Sequence, residues 1–129
     1  MTPLPVRLMP GADVRTALAA LLAEHGVEAA YVVQGMGSLD GARLRFAGQD
    51  QVTALTGDLE ILTLAGTLSP DGVHLHMSVS DGMGRVTGGH VAAGCTVRTT
   101  AEILVMLLPG RRFRRVPDAG TGYDELFIA

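Results

Sequence analysis

From Asp58 to Asp81 the chain reads DLEILTLAGTLSPDGVHLHMSVSD, two β-prone runs joined by Ser69-Pro70-Asp71-Gly72. Pro presets the backbone for the first central position of a tight turn and Gly suits its last corner, so this stretch predicts an antiparallel hairpin. On its second strand, side chains two apart share a face. Val73, Leu75, Met77 and Val79 then face a core, while His74, His76, Ser78 and Ser80 face away from it. A chain committed to such a hairpin must supply further strands and a cover for the apolar face.

The remaining residues supply both. Pro10-Gly11 marks a turn, Asp13 is placed as an N-cap, and Val14, Ala17, Leu18, Leu21 and Leu22 recur at helical spacing until Gly26 ends the pattern. This is the one helix expected. AAYVVQG and ARLRFAG read as two further short strands, RVTGGHVAAG as a glycine-broken one, and CTVRTTAEILVMLLP as a longer strand stopped by Pro109-Gly110. SDGMGR reads as a hairpin turn and DAGTGYDE as a C-terminal loop. The expectation is an α/β (α+β) fold, a predominantly antiparallel sheet with one main helix packed on it, in a single domain over residues 1–129. Ile103 to Leu108 are apolar on both faces of their strand, which calls for cover on both sides. The helix covers one side; a second sheet layer or another subunit must cover the other.

Composition narrows the function classes. A net charge of −3 argues against a protein that coats nucleic acid through a basic surface. All ten basic residues are Arg, and four of them, Arg111, Arg112, Arg114 and Arg115, fall within GRRFRRV. That run reads either as a solvated segment paired with acids of this or a neighbouring subunit, or as a local nucleic-acid contact. The one cysteine, Cys95, excludes an intrachain disulfide and lies among small residues, as a buried hydrophobe would. No apolar stretch approaches the roughly 18 residues of a membrane span, and a cytoplasmic protein is expected.

Two imidazoles on one strand face need a reason if they do not stand in open water. Zinc, or another divalent transition metal, supplies one, because it takes imidazole nitrogens held rigidly at a short distance. His90, ending TGGH on the next strand, is the third candidate ligand, with Gly88-Gly89 permitting a bulge or a close backbone approach. Three His and a water make an open site, unlike a closed structural one. The alternative is that each His is an ordinary surface residue. His25, in the last helical turn, joins no cluster and suits the helix C-terminus. Glu102 is a candidate partner for a ligating His or a general base, and equally a residue near a strand end; Glu60 carries the same ambiguity.

Taken in order, GDLEILTLAGTL, GVHLHMSVSD, GRVTGGHVAAG, TTAEIL and FRRVPDAGTGYDEL resemble a stand-alone plant-and-prokaryote-conserved domain from about Met9 to Leu126. The resemblance implies an α/β domain with an antiparallel sheet, a homotrimer, and a metal associated with His74, His76 and His90. It also brings an association with DNA, although the Arg-Gly-Arg-Pro core and basic extension that would enter the minor groove are missing from this chain.

Three functions follow as expectations. The first is a trimeric metal-binding module of regulatory, DNA-associated character, its four Arg residues repeated around the trimer. The second is a small zinc enzyme in which His74, His76 and His90 hold a metal that activates water or polarises a carbonyl, with Glu102 as proton acceptor. The third is a histidine site that takes an anion or small polar ligand without metal.

Overall fold

The computed structural model describes residues 1–129. Its elements run β1 (Thr2–Leu8), α1 (Val14–His25), β2 (Ala30–Arg45), β3 (Val52–Ser69), β4 (Gly72–Ser80), β5 (Val86–Val91), β6 (Val97–Leu107), β7 (Phe113–Pro117) and β8 (Asp124–Ile128). Six strands form one antiparallel sheet in the order β1-β6-β2-β3-β4-β5, and β7 and β8 form a separate hairpin. An antiparallel sheet with one helix is thus what the residue pattern required.

The helix forms where its caps place it. The Asp13 carboxylate accepts from the Thr16 amide at 2.9 Å and the Gly94 amide at 2.6 Å, so it starts α1 and ties it to the loop before β6. Gly26, at φ 64°, ends the helix in a left-handed conformation that Cβ would disfavour. Val14, Leu18, Leu21 and Leu22 are buried, packing into the core shared with Leu64, Leu68, Leu75, Met77 and Val79.

β2 corrects one expectation. AAYVVQG and ARLRFAG are the two ends of a single strand, not separate ones. Register shifts between Val32 and Gln34, Gly37 and Leu39, and Asp40 and Ala42 bend it in place of a turn. The side-chain carbonyl of Gln34 mends the interrupted ladder, accepting from the Leu64 amide at 3.0 Å. Bending lets the start of β2 pair with β6 while its end reaches β5, through Leu44 with Val91 and Arg45 with His90. The sheet therefore curls until β5 lies between β4 and the end of β2.

A second correction concerns the C-terminus. GRRFRRV contributes β7, and Asp124-Glu125, read as loop, begin β8. One apolar anchor organises this charged segment: Phe113 is 1% exposed and meets Tyr31 edge-on. Pairing with acids of the same subunit is observed, since Glu28 takes Arg114 at 2.8 Å and Arg112 at 3.3 Å.

On β6, Ile103, Val105 and Leu107 face the core, whereas Leu104 faces out and is 38% exposed. Together with Val33, Met36 and Leu62 it leaves exposed apolar side chains on the outer face of β6, β2 and β3. A groove of about 690 Å³, lined by Val6, Gln34, Met36, Leu62 and Leu104 among others, runs along it. No helix is long and apolar enough to cross a membrane.

Candidate metal centre

The alternation expected of β4 is observed. Leu75, Met77 and Val79 are 1%, 2% and 1% exposed, while His74 and His76 project to the outer face. His90 on β5 is the direct cross-strand partner of His76, so the two rings emerge side by side on that face. His76 Nε2 and His90 Nδ1 are 3.1 Å apart, and the ligand nitrogens of His74, His76 and His90 all lie within 4.8 Å of one another.

His90 arrives without a bulge, because the β4–β5 register is unbroken from His76–His90 to Ser80–Val86. The neighbouring glycines act through close approach instead. A Cβ on Gly89 would stand 2.7 Å from the Arg45 carbonyl oxygen of β2, a separation that only glycine allows. Closure of the curled sheet against β2 thus sets where His90 stands.

Electrostatics keep two of the rings in their ligating form. Burial, then the positive charge of Arg115, lowers the His74 pKa below 6.5, with smaller contributions from His76 and His90 opposed by Glu125. Burial, then Arg45 and His76, lowers that of His90. A neutral imidazole offers a lone pair and an imidazolium does not, so both shifts favour metal ligation.

The donor set fits a transition metal. A tetrahedral ion with nitrogens at about 2.1 Å needs pairs of them about 3.4 Å apart, close to the spacing His76 and His90 already have. All three donors are imidazoles fixed on paired strands, with no carboxylate or thiolate among them, a set suited to zinc and its first-row neighbours. One side stays open: a hollow of about 190 Å³ is lined by Ala65, Gly66, Thr67, His74 and His76.

The other candidates stand elsewhere. Glu102 is exposed on β6, three strands across the sheet from β4, facing Arg7 of β1 and Met36 of β2 in register. Within one subunit the fold does not bring it to the histidines. Glu60 is exposed on β3 and His25 on α1. Cys95 is buried, and burial raises its thiol pKa, so it is an inert packing residue. Two residues that the sequence did not single out for this site border it, Arg45 as the cross-strand neighbour of His90 and Thr67 as that of His74.

The chain matches the Plants and Prokaryotes Conserved (PCC) domain over residues 1–109. A curated relative, the bifunctional protein GlmU of Synechococcus sp. (strain JA-2-3B'a(2-13)), is 47% identical over 124 residues, which are 96% of this chain and 20% of the relative. The chain therefore spans about a fifth of the length of that curated relative. A hypothetical protein from Salmonella enterica, solved at 1.55 Å resolution, is 44% identical with a TM-score of 0.95, over 99% of this chain and 93% of that one. A metal-containing protein from Archaeoglobus fulgidus is 26% identical with a TM-score of 0.82, over 98% of this chain and 94% of that one.

Proposed function

Because the chain belongs to the Plants and Prokaryotes Conserved domain family, we propose that it is a metal-binding module, holding zinc or another divalent transition metal on His74, His76 and His90 and working as a homotrimer. The convergence of three imidazoles within 4.8 Å on adjacent strands carries this reading. The Archaeoglobus fulgidus neighbour, described as metal-containing, supports it. So does the lowered pKa of His74 and His90, which keeps them unprotonated near neutral pH. A bound metal would supply a Lewis-acidic centre at the open side of the site. The chain's own part is to hold three rings rigidly and to line the hollow beside them.

The trimer rests on the uncovered outer face of β6, β2 and β3. Val33, Met36, Leu62 and Leu104 are 48%, 58%, 47% and 38% exposed, and Met36, Leu62 and Leu104 line one groove, apolar surface of the kind that association buries.

Zinc titration against a chromophoric chelator tests the assignment. Tag-free protein should compete for one equivalent per chain, and each single His→Ala variant should weaken that competition at least tenfold. Unchanged competition by all three variants would refute the site.

The enzymatic alternative draws on the open side of the same site. It retains Glu102 as proton acceptor on the condition that a neighbouring subunit brings that residue to the histidines. Association with DNA has less to rest on, because Arg112 and Arg114 are already engaged with Glu28. Gel-shift at low salt that fails to retard duplex DNA would remove it.

A further inference from the structure

Resting on the metal assignment above, we propose that the site takes a small oxyanion, a carboxylate or a phosphate, as a ligand shared between the metal and the guanidinium of Arg115, with Arg45 on the opposite flank. The placement follows from register. Thr67 and His74 are direct partners on β3 and β4, and the Arg115 Nη2 donates to Thr67 Oγ1 at 2.6 Å, so this guanidinium is anchored beside the hollow lined by Thr67, His74 and His76. Its backbone is fixed as well, since the Arg115 amide donates to the Asp71 carboxylate at 3.0 Å. On the other side Arg45 is the direct partner of His90, and paired residues project to the same face.

Charge argues for an anion as occupant. Three neutral imidazoles leave a divalent ion its full +2, and the flanking guanidinia add to it. Neither guanidinium is ion-paired: that of Arg115 donates to Thr67 and that of Arg45 to the Gln49 carbonyl at 3.0 Å, whereas Arg85, Arg98, Arg112 and Arg114 are each paired with a carboxylate. Glu125, whose charge acts on His74, and Asp71, beside the Arg115 amide, offset part of this charge, and a divalent ion with two guanidinia still outweighs them. An oxyanion offers one oxygen to the metal and another to the remaining N–H groups of the anchored guanidinium. At about 190 Å³ the hollow is smaller than the usual pocket for a drug-sized ligand, which suits a carboxylate or phosphate group.

The test uses tag-free protein loaded with cobalt(II), whose visible absorption reports a change of ligand, titrated separately with acetate and with inorganic phosphate. The parent should respond to at least one anion, and Arg115→Gln should raise its half-saturating concentration at least tenfold while one cobalt per chain is retained. Arg45→Gln should raise it about threefold, a second variant that leaves the β7–β8 hairpin untouched. The anion with the stronger response identifies the source of the oxyanion. A parent that holds one cobalt but does not respond, or variants with the parent's half-saturation, would overturn this proposal alone. A parent that holds no cobalt would overturn the metal reading and this proposal with it.

Discussion

His76 and His90 face each other across the β4–β5 ladder, with Nε2 and Nδ1 3.1 Å apart, and the glycine before the second of them lets its strand close against β2. Gly89 lets the Arg45 carbonyl approach where any Cβ would collide with it.

Gly89→Ala should therefore shift β5 away from β2 and carry His90 with it. Overpacking of this kind costs about 1–3 kcal/mol. Urea denaturation should show that loss, and zinc affinity should fall about tenfold although no ligand has been changed. Zinc affinity equal to the parent's would show that closure against β2 does not position the ring.

Asp13→Ala removes an N-cap and the tie to Gly94 together. The expected loss is about 1–2 kcal/mol. It should appear in chemical denaturation and leave metal stoichiometry at one per chain, because α1 lies on the core side of the sheet and the histidines on the other.

Stability of the metal-free protein should fall as pH drops below about 6.5. His74 and His90 titrate lower in the folded chain than the ordinary 6.5, so the unfolded chain binds more protons between the two values. The histidine contribution is thus fully present above 6.5 and is lost as pH falls through the folded values. Urea midpoints at pH 7.5 and pH 5 check this, and the difference should shrink in a His74→Asn, His90→Asn double variant. Zinc binding should weaken over the same range as protons compete for the nitrogens.

Leu104→Glu places a charge on the bare outer face of β6. The parent should sediment near three times its 13.4 kDa chain mass and the variant near a single chain, with the helical signal of α1 preserved. A monomeric parent would remove the trimer.

Much of this fold was legible because its signals are local. The caps at Asp13 and Gly26, the Ser69–Gly72 turn and the alternation of His74 and His76 against Leu75 and Met77 each depend on neighbours a few residues away. What depends on distant pairing was not. β2 continues, bent but unbroken, through a segment rich in glycine because Gln34 mends its ladder and β6 and β3 hold it on both sides. β7 and β8 form around one Phe in a charged segment. His90 could be named as a third ligand from TGGH, yet its meeting with His76 is created by the closing of the sheet. Arg45 and Arg115 gave no signal as neighbours of the site, since one lies 45 residues before His90 and the other reaches the hollow through Thr67.

Elemental analysis of tag-free protein, purified without added metal or chelator, tests the central claim most directly. The parent should carry about one transition-metal ion per chain, predominantly zinc, and the His74→Ala, His76→Ala, His90→Ala triple variant less than about a tenth of that while remaining folded. Equal metal in the folded triple variant, or none in the parent even after dialysis against zinc, would contradict it.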